Sequence, residues 1–339
     1  DYFELVMQTA GKGLREFMEG RPLSVNIYEM EKPDVPLWCV WAIQQYAKEA
    51  GKARCLELYG SLLHDIIDYI AADRHPDLRM DDNGLLYADA KGEAITWMNS
   101  TNNGKPVVPR TGYIVEFNAL WYNALCFVAS MEREGGKEKH AKELEVLAER
   151  CKEAFVSTFL NEYGYLYDYV DGRMIDWSVR PNMVFATSLP YSPLPKATRR
   201  SVLEIITREL RTPKGLRTLS PKSDGYQPQC HGTQWQREQS YYNGSVWPWL
   251  LGPYFEACIK LYGRSAISFI ENTLIGMEEE LQQHGVGTVS ELFDGNPPFK
   301  GRGAISFAMS VGELLRSLAL LEEAKSKYDT QILPIIRYE

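Results

Sequence analysis

Apolar residues recur along this chain three and four positions apart, and seldom two apart. Tyr59, Leu62, Leu63, Ile66, Ile67 and Ile70 make one such stripe, and Phe117, Leu120, Trp121, Ala124, Leu125 and Val128 make another. Leu144, Leu147, Ala148, Cys151 and Phe155 repeat the pattern, as do Val311, Leu314, Leu315 and Leu318. Similar spacing predicts helices over 2–19, 34–50, 195–210, 240–260 and 264–283, about ten in all. Strand-like alternation is confined to short runs around Leu85-Leu86-Tyr87 and Tyr165-Leu166-Tyr167.

The connections alternate in character. Gly51 and Gly135-Gly136 make tight links, whereas 73–115, 161–180, 211–239 and 285–302 are long. Structureless loops beyond ~12–15 residues are uncommon unless they carry function. These recur at every second helix junction and hold Trp97, Trp177 and Trp235. Helical hairpins closed at one end and decorated at the other predict an all-α toroid of paired helices, with its site at the loop-rich end. No linker, low-complexity stretch or fixed-period repeat interrupts it, so residues 1–339 read as a single domain.

The composition is globular, 45% hydrophobic and 24% charged, with a formal net charge of −8 and no long Lys/Arg run. A nucleic-acid or anionic-membrane partner would want a basic face that this sequence lacks. No segment reaches the ~18 consecutive apolar residues of a membrane span. The start, Asp1-Tyr2-Phe3-Glu4, lacks both an initiator Met and a signal-peptide profile, which suggests a fragment or processed form. Six scattered cysteines sit mostly in helical apolar patterns, with no C-x-x-C pair, and suit a reducing compartment; an even count leaves disulfides open. The five histidines show no H-E-x-x-H or H-x-H spacing, so the reading predicts no metal site and no cofactor.

Twenty Tyr and eight Trp are a heavy aromatic load. Sugars present apolar C–H faces and polar rims, which suit aromatic walls flanked by carboxylates and amides. Trp38, Trp41 and Trp121 lie on helix stripes and read as core. Trp97, Trp177 and Trp247 sit beside polar loop residues and read as site. Glu291-Leu292-Phe293-Asp294-Gly295 follows a Gly-rich turn and precedes Pro297-Pro298, which puts Glu291 on a constrained loop. Glycoside hydrolysis needs two carboxyl groups about the scissile bond, roughly 6.5–9.5 Å apart when the reaction inverts. Glu291 fits the base of such a pair, and taken alone it fits a structural turn acid equally well. Three further strings offer groups that grip hydroxyls: Arg180-Pro181-Asn182, Gly215-Leu216-Arg217-Thr218-Leu219-Ser220-Pro221, and Tyr241-Tyr242-Asn243-Gly244-Ser245-Val246-Trp247-Pro248-Trp249. Each could be helix-capping chemistry, and their combination is what points to a site.

With Pro33-Asp34-Val35-Pro36-Leu37-Trp38, Gly84-Leu85-Leu86-Tyr87, Thr96-Trp97-Met98, Pro109-Arg110-Thr111-Gly112 and Val115-Glu116-Phe117-Asn118-Ala119-Leu120-Trp121-Tyr122-Asn123, the series resembles the amylo-α-1,6-glucosidase domain of glycogen debranching enzymes. That resemblance runs through nearly the whole chain. It implies an (α/α)6 barrel whose first helix, with an N-terminal domain, lies upstream of residue 1. It also implies metal-free, inverting hydrolysis of the single α-1,6-linked glucose at a trimmed branch point.

In the family the base is the Glu of E-x-F-D-G, here Glu291, and the acid is the Asp of T-W-M-D, where this chain has Asn99. An amide has no proton to give at working pH. Tyr242 stands where the family has His, and the C-x-x-Q-A-W-S run reads Ala304-Ile305-Ser306-Phe307-Ala308-Met309-Ser310. If the acid has moved, Glu116 and Glu93 are the nearest candidates in sequence.

The leading expectation is a debranching-type hydrolase acting on α-glucan in the cytoplasm. Trp97, Arg110, Glu116, Arg180, Asn182, Arg217, Trp247 and Asp294 would hold the sugar. Alternatives are a glucan-binding or regulatory domain that has lost catalysis, and a glycosidase of other sugar specificity.

Overall fold

The computed structural model describes residues 32–329, so the helix expected over 2–19 lies outside the described residues. The chain divides into two compact units. The first runs through Ser178 and takes in Phe185–Thr198; the second comprises Val179–Val184 and the chain from Arg199 onward.

The first unit opens with α1 (Val35–Ala50), which carries Pro36 in its first turn and stops at Gly51. Pro fits there because the first turn leaves its N–H groups unpaired in any case. Gly51, at φ 86°, turns the chain directly into α2 (Lys52–Ala71). Short strands follow: β1 (Leu78–Met80), β2 (Leu86–Ala88), the β3 (Thr101–Asn102) and β4 (Lys105–Pro106) hairpin, and β5 (Gly112–Ile114). Then come α3 (Val115–Glu134), α4 (Glu138–Phe159), β6 (Tyr169–Asp171), β7 (Met174–Ile175) and the single turn α5 (Phe185–Ser188).

Helix α3 packs against α1, α2 and α4 and is the spine of this unit. Its stripe of Phe117, Leu120, Trp121, Leu125 and Val128 is wholly buried, each side chain contributing about 1.5–3 kcal/mol of hydrophobic stabilisation. Polar side chains fix how it docks. Asn118 donates to the carbonyls of Leu86 (3.0 Å) and Ile114 (3.1 Å) and accepts from the Leu86 amide (2.7 Å), while Trp121 Nε1 donates to Gly84 (3.1 Å). Gln44 and Asn123 exchange amide hydrogen bonds between α1 and α3.

The second unit contains a 3-10 turn at Pro181–Val184, nearly all of α6 (Lys196–Glu209), β8 (Arg211–Thr212), β9 (Gly215–Arg217), α7 (Gln234–Tyr241), β10 (Val246–Trp247) and α8 (Leu251–Tyr262). It continues through α9 (Ile267–Glu278), β11 (Leu292–Phe293), β12 (Gly301–Arg302) and α10 (Ala308–Asp329). Helix α10 packs against α8 and α9. Arg316 links α10 to α8 by bonding Glu256 on α8 (2.7 Å) and Glu313 on its own helix (3.0 Å).

Ten α-helices among the described residues make the chain helix-rich, as the periodicity predicts. The expectation of an all-α chain is corrected, because the long connections carry two five-stranded antiparallel sheets, ordered β1-β2-β5-β6-β7 and β12-β11-β10-β9-β8. Strands of two or three residues are too short to show a period-2 pattern, and several pair with partners remote in sequence, as β5 does with β6 and β10 with β9 and β11. Of the two runs expected as strands, 85–87 overlaps β2, whereas near 165–167 there is only the isolated Leu160–Leu166 bridge.

The helix predicted over 240–260 begins only at Leu251. Gly244, at φ 151°, has the Gln227 carbonyl where a Cβ would stand (2.6 Å), and Pro248 opens a 3-10 turn. Helix α7 escaped the periodicity because it buries only Ser240; a capping box of Thr233 and Gln236 starts it instead. No described helix is long and apolar enough to cross a membrane.

Candidate active site

In the second unit one sheet gathers four of the residues singled out in the sequence. Val246 of β10 pairs with Arg217 of β9 on one side and Phe293 of β11 on the other. Trp247 follows Val246, while Glu291 and Asp294 flank β11. Backbone pairing therefore holds these four positions in register.

Glu291 is partly exposed and firmly held. Its amide donates to the Ala304 carbonyl (2.9 Å), its Oε2 accepts from the Ala304 amide (2.8 Å), and its carbonyl accepts from Ser310 Oγ (3.3 Å). Gly303, at φ 67°, makes room, since a Cβ there would stand 2.2 Å from Glu291 Oε2. Beside it lies an aromatic group. Trp247 stacks on Tyr242 with centroids 5.4 Å apart, meets Phe307 edge-on at 6.1 Å, and donates Nε1 to the Tyr241 carbonyl (2.9 Å). The Tyr241 phenol is pushed up from its ordinary pKa, chiefly by burial, with Cys230 and then the Glu291 charge adding to it. Glu291 thus acts electrostatically on this aromatic group.

Asp294 is buried and fully engaged. Arg302 donates Nε to its Oδ1 (3.0 Å) and Nη2 to its Oδ2 (2.8 Å), and the Cys230 amide donates to Oδ1 (3.0 Å). Arg217 donates Nε to the Gly295 carbonyl (2.8 Å). Arg180 Nη1 reaches the carbonyls of Tyr242 (2.6 Å) and Thr218 (3.2 Å), and its Nη2 reaches Asn243 Oδ1 (3.2 Å). It ties the loops after β9 and α7 together. Asn182 is completely buried in the 3-10 turn.

In the first unit Asn99 is exposed, on the loop between β2 and β3, with half-buried Trp97 and buried Met98 before it. Thr96 Oγ1 accepts from the Met98 amide (3.1 Å), and the Ser100 carbonyl accepts from Val107 (2.9 Å), so the loop is anchored on both sides of Asn99. Arg110 and Glu116 do meet. Both Glu116 oxygens accept from the Arg110 guanidinium, and Asp168 takes its Nε (2.7 Å) and Nη2 (3.1 Å). The side chains of all three are 1% exposed, so these donors are spent on protein carboxylates. Glu93, exposed, sits in a turn closed by its amide to Ala90 (2.7 Å).

The sequence reading missed four contributors. Asp168 and Arg302 are the partners of Arg110 and Asp294, and neither carries a local signal. Phe307 lies in the string that departs from the family pattern, the same string that supplies Ala304 and Ser310 to Glu291. Asp34, at the start of α1, has its carboxyl pushed up to about 7 by burial and by the neighbouring Glu116 charge, against its backbone hydrogen bond, Trp38 and Lys32. A carboxyl near that value can hold and release a proton at neutral pH. All six cysteines are free, and burial raises Cys39 and Cys258 to about 12. None of the predicted site residues lines the cleft of about 630 Å³ between α6, α8 and α9.

A loop-borne carboxylate beside aromatic rings supplies one of the two carboxyl groups that glycoside hydrolysis needs. The amylo-alpha-1,6-glucosidase family matches residues 26–316, and the chain belongs to that family. It is 25% identical over 217 residues to a glycogen debranching enzyme of Saccharomyces cerevisiae, covering 51% of this chain and only 14% of that protein. A neutral trehalase from Saccharomyces cerevisiae is similar over 62% of this chain and 38% of its own, at 16% identity and a TM-score of 0.46.

Proposed function

We propose that this chain is a debranching-type α-glucan hydrolase that removes single α-1,6-linked glucosyl units with inversion. Its paired helices would form an (α/α)6 toroid. Glu291 is the general base: its carboxylate takes a proton from a water that attacks the anomeric carbon, while the leaving oxygen is protonated from the other face. The observation that carries the reading is the setting of Glu291, oriented by Ala304 and Ser310 on the sheet that bears Trp247 and Arg217. The half-buried rings of Tyr241 and Phe307 would take the apolar face of the sugar, backed by the buried Trp247 and Tyr242. Arg180 and Asn182 shape the loops around it.

Asn99 cannot supply the proton, so the acid lies elsewhere. Glu116 is paired on both oxygens with Arg110. Asp34, whose carboxyl burial pushes up to about 7, is tested as a further candidate. Asn99 also favours a second reading, a glucan-binding domain that kept its base and lost its acid.

The test is glucose release from a maltooligosaccharide bearing one α-1,6-glucosyl stub, run with the wild type, Glu291→Gln, Asp34→Asn and Asn99→Asp. The hydrolase reading predicts release by the wild type and a loss of about 10²–10⁴-fold in Glu291→Gln. Silence in the wild type with activity in Asn99→Asp would replace it with the binding reading. Silence in all four would overturn both the base assignment and the substrate.

A further inference from the structure

Outside that site, three helices of the first unit bring two imidazoles and two carboxylates together. His64 and Asp68 are four residues apart on α2 and share one face, Glu132 lies in the last turn of α3, and His140 lies in the first turn of α4. The two histidines are oriented alike. Each turns Nε2 towards Asp68, at 3.1 Å for His64 and 3.9 Å for His140. Each turns Nδ1 towards Glu132, at 3.2 Å and 3.5 Å. Their ring centroids are 4.8 Å apart.

We propose that His64 Nε2, His140 Nε2 and an Asp68 oxygen bind a divalent transition-metal ion, best matched by Zn²⁺, with Glu132 orienting both imidazoles. The ligand atoms lie within 4.8 Å of one another. Zinc takes nitrogen and oxygen donors at about 2.0–2.2 Å, which sets tetrahedral ligand atoms about 3.3–3.6 Å apart. Closing the cluster onto an ion therefore needs side-chain shifts of an ångström or so, within the reach of half-exposed rotamers. Asp68 is 46% exposed and His64 34%, which leaves a path for the ion and room for a water as fourth ligand.

The most specific feature is Glu132, whose side chain is 4% exposed. A carboxylate that accepts from the far nitrogen of a ligating histidine fixes its tautomer and raises its basicity. Here one carboxylate faces both. Lys137, 3.2 Å from Glu132 Oε2, balances its charge. Among the described residues the linear spacing gives no hint of this, because the third ligand comes from another helix. The ion would clip α2 to the α3–α4 hairpin.

The test titrates metal-stripped full-length protein with zinc chloride by calorimetry, with cobalt(II) as a spectroscopic probe. One saturable equivalent is expected, weakened roughly hundredfold or more in both His140→Ala and Asp68→Asn, and about 10–100-fold in Glu132→Gln. Zinc at a hundredfold excess over its Kd should raise the unfolding midpoint by roughly 4 °C. The cobalt form should show ligand-field bands without thiolate charge transfer. Circular dichroism checks that each variant is folded, and the two ligand variants report independently. No saturable binding, undiminished binding in both His140→Ala and Asp68→Asn, or a thiolate band placing the ion on a cysteine would overturn the proposal.

Discussion

Arg110 illustrates how a residue's neighbours decide its role. The resemblance of Pro109-Arg110-Thr111-Gly112 to the family motif implies that it holds the sugar, yet it lies between Asp168 and Glu116 with its side chain 1% exposed. Removing the cation leaves two buried carboxylates uncompensated, which is costlier than the pair's net contribution. Arg110→Met should lower unfolding free energy by about 3–5 kcal/mol in urea titration; a variant of unchanged stability with a raised KM would return Arg110 to the substrate. Asp34 makes a second prediction. Its folded pKa of about 7 lies above the ordinary carboxyl value of 3.8. The folded state therefore binds the proton more tightly, and this contribution to stability is complete below about pH 4 and lost as pH rises to about 7. Asp34→Asn should flatten that slope and be the more stable protein at pH 8, by at most about 4 kcal/mol. Parallel wild-type and Asp34→Asn curves between pH 4 and 8 would contradict it.

Gly303 shows the same dependence at the scale of an element. The chain leaving β12 must turn with φ 67° while passing the Glu291 carboxylate, and a Cβ would stand 2.2 Å from Oε2. Gly303→Ala should displace that carboxylate and lower kcat by about 10²-fold. The Trp247 fluorescence should be retained if the sheet itself survives. Unchanged kcat would mean that the carboxylate's position is not critical.

Elements were legible in proportion to their length. The stripes on α2, α3 and α4 announce themselves over about three turns and that on α10 over about two, where Leu315 and Leu318 nevertheless stay exposed, and Gly51 marks the junction of α1 and α2. The two sheets did not, because strands as short as Val246–Trp247 carry no pattern and owe their existence to Arg217 and Phe293, remote in sequence. Glu291 was legible as a constrained loop acid, and Trp247 as part of a distinctive string. Their supports were not. Ala304, Ser310 and Phe307 lie in a stretch that looked like mere departure from a family pattern, and only the fold brings them to Glu291 and Trp247.

At the scale of the whole molecule, membership of the amylo-alpha-1,6-glucosidase family and the setting of Glu291 point to one chemistry. The chain spans about one seventh of the length of the debranching enzyme it matches, so its own activity must be read from its own residues. Asn99 belongs to the first unit and Glu291 to the second. The most direct measurement is the anomeric form of the first glucose released from an α-1,6-glucosyl-maltooligosaccharide, followed by proton NMR before mutarotation. If Glu291 activates a water for direct displacement, the first product is β-glucose, and Glu291→Gln yields none. A first product of α-glucose, or release undiminished in Glu291→Gln, would contradict the account.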